Sequence, residues 1–509
     1  MEGRNGLFGR KDIYLYGEIS ENNIVARVNE VLQYHAQNVA DENELYWRRR
    51  GINPILDRRK EVRPDINNKV VESAGLIDHV VSFDNGWLLT QPAYYVARKS
   101  GAQKKVNKLN EYLYLSGKQN VDNETVDWFH TVGKGVIWVK STDDKRTPCK
   151  VYSLDPRSAF VVYSLNVEKE PVMGVHVVTN GSDVIVDAIT KDKYYRLMGT
   201  SLTYNVTTYP ISASTVNRIE SVTPNALGKI PIIEYSWNEN NLASAELALP
   251  LLDCLDTIQS DRANAVAQFV QSLLVTWNCK FDEGMDANTI RQYGLINLVA
   301  DGENRQDIKI LSDQLDQTQT QTFVDDLYER ILTICCVPTT TKGGTSTSDT
   351  GAAVLARDGF VQADMKARNS EDVFKKSNSY FDEIFLEILR RKRVLDIDPS
   401  DFDLLFVRNE TSNIQSKAQA MQTLINAGLA PWLALGKSGV SNDPVADYTA
   451  SEPWIKQRWG DPYAEPEGDM SGAPSGGGGS DEKAPAPAAP KGTNMSQQRK
   501  GWVNGYYRG

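Results

Sequence analysis

The spacing of apolar side chains changes repeatedly along this chain, and each change marks a different element. Between Ser20 and Arg50, Ile24, Val25, Val28, Val31, Leu32, His35 and Val39 fall on one side of a 3.6-residue period with charges opposite, predicting an amphipathic helix ended by Gly51. A second helical stretch is expected over Asn67–Phe83, and the short, proline-interrupted Gly86–Tyr95 (GWLLTQPAYY) suits a strand edge or a turn. From Gly135 to about Leu197 the period falls to two. GVIWVK, KVYSLD, AFVVYS, GVHVVT, DVIVDAIT and KYYRL are short and rich in β-branched and aromatic residues, and Asn180-Gly181 is a two-residue hairpin signal. One antiparallel sheet of about six strands is the expectation.

After Gly228–Tyr235 (GKIPIIEY) the helical period returns over Ser244–Leu273, with Leu249, Leu252, Leu255, Ile258, Val266, Phe269 and Leu273 along a rod of ~45 Å. Pro250 should kink this rod or move its start. LLVTWNCKF, LINLVA and DIKIL then read as strands, the last two joined as a hairpin through Asp301-Gly302, before a helix over Leu315–Cys336 returns with Phe323, Leu327, Ile331, Leu332 and Ile334. The predicted shape is a stalk with a small β cap. Next come Thr339, Thr340, Thr341, Lys342, Gly343, Gly344, Thr345, Ser346, Thr347, Ser348, Asp349 and Thr350, a stretch with no apolar side chain and no drive to bury itself. It opens into a helical pattern roughly forty residues long, carrying Val354, Leu355, Val361, Met365, Phe374, Phe381, Ile384, Phe385, Ile388 and Leu389, with Asp349 or Thr350 to cap its start and Arg390–Arg393 to suit its end. A strand at Asp403–Arg408 and a helical segment over Ser412–Gly436 follow. From Asp461 the composition is that of a Gly/Pro/Ala/Ser linker, ending in Gln498–Gly509, a basic and aromatic tip that reads as a disordered terminus or a short docking peptide.

Composition removes several function classes. A chain of 509 residues holds about two to four domains, and its formal charge of -10 argues against gripping nucleic acid over the whole surface. Cys149, Cys254, Cys279, Cys335 and Cys336 contain no CxxC pair, so reduced structural thiols are expected rather than disulfides or a metal site. No apolar run reaches the ~18 residues of a membrane span and no leader-like stretch opens the chain, from which a cytoplasm-like compartment is expected. His35, His79, His130 and His176 lie far apart without metal or triad spacing, and His35 is expected as a packed side chain. Gly436-Lys437-Ser438 imitates the end of a phosphate-binding loop, but Pro431 stands where that loop needs glycine. No catalytic residue, cofactor or metal is expected. Between Leu274 and Gln317 eight acids (Asp282, Glu283, Asp286, Asp301, Glu303, Asp307, Asp313, Asp316) face four bases (Lys280, Arg291, Arg305, Lys309), so the cap repels phosphates or docks a basic partner.

The order and spacing of seven segments resemble the portal proteins of tailed phages, in the siphophage family typified by Bacillus phages, over roughly residues 30–435. They are Tyr46–Leu56, Pro64–Val71, Gly86–Tyr95, Asp155-Pro156, Leu227–Tyr235, the Ser244–Leu273 helix and Ser348–Leu355 (SDTGAAVL). The resemblance implies an α+β portal fold: a mixed α/β wing (1–240 and 351–411), a two-helix stem (241–273 and 315–338), a β-containing clip (274–314), a tunnel loop at 339–350 feeding a long wing helix, an α-helical crown (412–460) and a tail at 461–509. It further implies a homo-oligomeric ring, generally a dodecamer, at the portal vertex of the virion, assembled in the host cytoplasm, through which double-stranded DNA is packaged and ejected. The partners so implied are the terminase large subunit, the head-tail adaptor, and the major capsid and scaffolding proteins, with no membrane. Clip residues Asp282, Glu283, Asp286, Arg291, Asp301, Glu303 and Arg305 would dock terminase and adaptor, and the Thr339–Thr350 loop would line the DNA channel. Two alternatives remain at this point: a minor head or adaptor protein without a channel, and a nucleotide-binding enzyme resting on Gly436–Ser438.

Overall fold

A computed structural model describes residues 9–60, 64–99, 101–205, 210–270, 273–277, 279–281, 298–300, 307–311, 317–339, 360–406, 414–441 and 444–459. The chain divides into two compact units, Met1–Tyr448 and Thr449–Gly509, and only the first eleven residues of the second, which are helical, are described. The architecture is mixed, with helices and largely antiparallel sheets in separate stretches, as the α+β expectation requires.

Strand β1 (Ile13–Leu15) precedes helix α1 (Ile24–Arg49), which buries Ile24, Val28, Val31, His35 and Leu45. His35 is a packed residue, its ring 4.1 Å from that of Phe160. The helix closes at Gly51, whose φ of +88° lets the Ile52 N–H reach Trp47 O and the Gly51 N–H reach Arg48 O. Helix α2 (Ser73–Leu88) starts six residues later than its pattern suggests and takes in Gly86, Trp87 and Leu88. The residues before it run instead along a later helix, whose Asn264, Ser260 and Asp256 side chains accept the backbone N–H groups of Asn68, Val70, Glu72 and Ser73. Those acceptors repeat every four residues and so lie on one helix face, a tertiary ladder that no local propensity announces. Strand β2 (Tyr94–Ala97) then leads to α3 (Gln103–Leu115) and α4 (Lys118–Val132), two helices absent from the sequence expectation. On its buried face α4 mixes a Lys118–Asp122 ion pair, Thr125 and His130 with Val121, Val126, Phe129 and Val132.

The single six-stranded sheet was a misjudgement: the strands separate into two sheets. Strands β3 (Gly135–Ser141) and β4 (Cys149–Leu154) pair with each other, and the remaining four of the expected strands belong elsewhere: β5 (Ala159–Ser164), β6 (Pro171–Asn180), β7 (Asp183–Ile189) and β8 (Lys193–Asn205). A fifth antiparallel strand, β9 (Pro210–Pro224), extends them, and β1 adds in parallel to β5. Strand β10 (Ile232–Tyr235) completes the smaller sheet on β3. The break falls at Asp155-Pro156, where the Asp155 carboxylate accepts the Arg157 N–H (3.0 Å) and its carbonyl accepts that of Ser158 (2.9 Å), turning the chain away. The two sheets meet across Val136, Trp138, Ala159, Val161, Ile230 and Ile232. Gly174 permits the approach, since a Cβ there would lie 2.8 Å from Ile230 Cγ2. The Asn180-Gly181 hairpin is present, with Asn180 paired to Asp183 and Gly181 at φ +63°.

Helix α5 (Leu249–Val270) follows a 3₁₀ turn at Glu246–Ala248, so Pro250 falls in its first turn, where no N–H is needed. Pro250 therefore sets a start and not a kink. In the cap, β11 (Leu273–Trp277) pairs with β14 (Asp307–Leu311), and β12 (Cys279–Phe281) pairs with β13 (Leu298–Ala300), all antiparallel. This nested arrangement replaces the expected hairpin between LINLVA and DIKIL, because the strand leaving α5 takes as partner the strand re-entering the next helix. Helix α6 (Gln317–Ile334) and helix α7 (Phe360–Arg391) follow, then β15 (Phe402–Leu405), which pairs with β2. Helices α8 (Ile414–Asn426), α9 (Pro431–Ser438) and α10 (Pro444–Trp459) close the described chain. Gly436-Lys437-Ser438 lies inside α9, not in a strand-to-helix loop.

The largest core gathers around α7, whose Phe374, Phe381, Ile384, Phe385, Ile388 and Leu389 pack with Phe129, Ile137, Tyr235 and Phe402. Earlier in α7 the buried stripe is made of small residues, Ala363, Ala367 and Ser370, while Val361 and Met365, read from the sequence as core, are 52% and 62% exposed. Among the described residues no helix is long and apolar enough to cross a membrane.

Candidate functional site

Helices α5 and α6 pack side by side, with Leu252 and Leu255 of one and Val324, Ile331 and Cys335 of the other sharing a core with Leu76, Ile77, Val80 and Val81 of α2. The base of α5 is fixed by charge. Glu246 takes the fully buried Arg10 guanidinium at 2.5 Å, and Arg10 also donates to Val132 O at 2.7 Å. About two turns along, Asp253 is gripped by Arg48 at 2.6 Å, and about two turns further Arg58 pairs with Asp261 at 2.5 Å. Together with the Asp256 and Ser260 acceptors, these pairs tie α5 to the N-terminal region at intervals from its base to Asp261.

The other end of the hairpin joins α7. Helix α6 finishes in a Schellman turn in which Cys336 takes φ +59°, its N–H bonding Thr333 O and the Val337 N–H bonding Leu332 O. Lys366, one turn and a half into α7, reaches across to donate to Cys335 O (2.9 Å) and to the buried Asp84 carboxylate of α2 (2.6 Å), with the Trp237 ring 4.9 Å away. One ammonium therefore binds the last turn of α6, the first turns of α7 and α2 into a single joint, placed where it meets the negative end of the α6 dipole. Burial pushes the Asp84 carboxyl above its ordinary range, and Lys366 opposes that shift. From Asn85 the polar contacts continue: its Oδ1 accepts from His130 Nδ1 (2.7 Å) and its Nδ2 donates to Asp127 (2.8 Å), which pairs with Arg49. Burial holds His130 well below its usual pKa, so its ring is neutral in this network.

Of the sequence-predicted site residues, Thr339 is described, half-buried just past the joint. Thr340 to Thr350 lie outside the described residues, as do Asp282, Glu283, Asp286, Arg291, Asp301, Glu303 and Arg305. What the structure fixes is therefore the two feet of the 340–359 segment. Sequence reasoning passed over Lys366, Asp84, Arg10 and Glu246. Lys366 left a readable signal, a charge three residues from Ala363 on a stripe of small buried side chains; Arg10 left none.

A family model described as phage portal protein, SPP1 Gp6-like, matches residues 25–435. The chain belongs to this phage portal family. Among its relatives is the portal protein of Bacillus phage SPP1, 24% identical over 249 residues, which are 48% of this chain and 47% of that protein. The chain thus aligns with about half the length of that curated relative. Family membership supports a phage portal role, and phage portal proteins belong to the virion capsid. The matched span begins after the Arg10 strap and ends within α9, so the strap and the Gly/Pro-rich tail fall outside it.

Proposed function

We propose that copies of this chain close into a ring, a dodecamer on the family pattern, around a channel through which double-stranded DNA is packaged and later ejected. The observation that carries this reading is a set of exposed apolar side chains on the α5–α6 hairpin and on α7. Val266, Phe323, Ile334, Val361 and Met365 are 58%, 48%, 42%, 52% and 62% exposed on a lone chain, on the helices α5, α6 and α7 that would meet neighbouring copies. Large apolar side chains spread along three such helices favour burial by association. In this account α5 and α6 form the stem, the β11–β14 unit the clip that docks terminase and then the adaptor, the 339–350 segment the tunnel loop, and residues 412–460 the crown.

A ring that passes DNA must not hold it. Each Lys or Arg paired to phosphate adds a counterion-release contribution that favours arrest, and twelve copies at -10 carry about -120 formal charge. Lys342, the one charge in the loop before Asp349, touches the phosphate backbone in passing, and Lys342→Ala particles that package and retain DNA like wild type would remove that role. The acidic clip residues keep DNA from adhering there and meet a basic partner. Native mass spectrometry of the purified chain tests the assembly: a closed species of about twelve 56.8 kDa subunits is expected, and a stable monomer at micromolar concentration rejects the reading.

A further inference from the structure

The far end of α7 finishes in an exposed basic run. Arg390 and Arg391 share Glu387, whereas Arg393 makes no ion pair among the described residues. Arg393 stands at φ +56° and closes the helix, its N–H bonding Arg390 O at 3.0 Å and the Val394 N–H bonding Leu389 O at 3.1 Å. Glycine takes such a position with least strain, as Gly51 and Gly428 do where α1 and α8 end. An arginine retained there spends conformational strain to present an exposed guanidinium. Helix α3 abuts the same turn, since Lys108 Nζ donates to Val394 O at 3.1 Å. On α3, Lys104 and Lys105 are also exposed and without an ion pair among the described residues. Lys392 lies 3.7 Å from Asp143, which brings in the loop that carries the exposed Lys145. Cations thus collect on one surface of a chain whose net charge is -10.

We propose that this surface, formed by α3 and the C-terminal end of α7, docks an acidic polypeptide segment of a protein packed around the ring. Two observations favour a polypeptide over nucleic acid. Tyr114 and Leu115, 69% and 43% exposed on α3, offer apolar contact that a phosphate backbone does not use. The 32 residues of α7 set the surface about 48 Å from the foot of the 340–359 segment. On the portal reading, on which the choice of partner rests, that distance puts it away from the channel.

The test uses the purified full chain and fluorescence anisotropy with a short polyglutamate peptide, with polyglutamine and a short DNA duplex as comparators. Salt-sensitive binding of polyglutamate is expected, weakened about tenfold or more in Lys104→Glu/Lys105→Glu, where each reversal turns attraction into repulsion. Arg393→Gly separates docking from folding: its thermal midpoint should match or exceed wild type while its peptide binding falls. Equal binding of polyglutamate and polyglutamine, unchanged binding in both variants, or tighter binding of the duplex than of polyglutamate at the same salt would each overturn the proposal. Native mass spectra of the same samples judge the ring independently, so rings without peptide binding reject this surface alone.

Discussion

Replacing Lys366 by methionine keeps the length of the side chain and removes the ammonium that joins α2, α6 and α7. Asp84, 6% exposed, is then a buried carboxylate with no cation, and Cys335 O loses its donor. Breaking a buried pair in this way costs about 3–5 kcal/mol, of which the carbonyl bond is about 1 kcal/mol. The loss depends on pH with a definite sign. Asp84 already sits above its ordinary value of 3.8, and removing the cation raises it further, so the folded variant holds a proton that the unfolded chain gives up. Its deficit is therefore smallest below about pH 4 and grows toward neutrality. Urea denaturation at pH 7 and fixed protein concentration, run on Lys366→Met, Asp84→Asn and the double variant, measures the coupling, and the double should recover at least about 2 kcal/mol relative to the sum of the singles. Hydrogen exchange should rise selectively at 333–337 and 360–366 in Lys366→Met and return in Lys366→Arg. Additive single losses within about 0.5 kcal/mol, with no selective exchange, would refute the joint.

Arg10→Met leaves Glu246 buried and unpaired at the base of α5 and should destabilise by about 3–5 kcal/mol in the same urea assay; a change under about 1 kcal/mol contradicts the strap. Glu42, buried among Arg10, Lys134, Asp155 and Glu234, has its carboxyl pushed up to about 8 by desolvation, so wild-type stability falls as pH rises from about 4.5 to about 8. Glu42→Gln should flatten that slope, equalling wild type near pH 4 and exceeding it at pH 8, as read from thermal midpoints across pH; parallel curves exclude the assignment. His35, held down to about 3 by burial, acts in the opposite sense below pH 6.5 in both proteins and cancels from the difference. Cys336→Gly relieves a left-handed non-glycine residue and should stabilise by up to about 1 kcal/mol, so a lower midpoint would show that the thiol packs usefully.

Periodicity carried the rods and the turns well. Ile24 to Leu45 and Phe374 to Leu389 repeat at 3.6 because they lie on one continuous core face, and Gly51 ends α1 for the φ it alone adopts cheaply. What was hidden depends on long-range partners. Asn67–Glu72 read as helix until α5 offered it a column of side-chain acceptors, and α4 went unseen because Lys118, Asp122, Thr125 and His130, satisfied within the helix or by distant residues, interrupt its apolar face. The sheet divided at Asp155 because pairing depends on which strand arrives alongside, a property of topology that strand composition does not encode. At the candidate site, Thr339–Thr350 reads as a loop for lack of apolar residues, and all of it but Thr339 lies outside the described residues. The Lys366 joint was not legible, since a lysine on a small-residue stripe gains meaning only when Asp84 and Cys335 O are placed against it.

End-on electron cryomicroscopy of the purified full chain bears most directly on the central claim. The account predicts closed rings in which the ends of α6 and α7 that flank residues 340–359 point into a central hole wide enough for a DNA duplex. Rings with those ends facing outward, or single subunits with no hole, would contradict it.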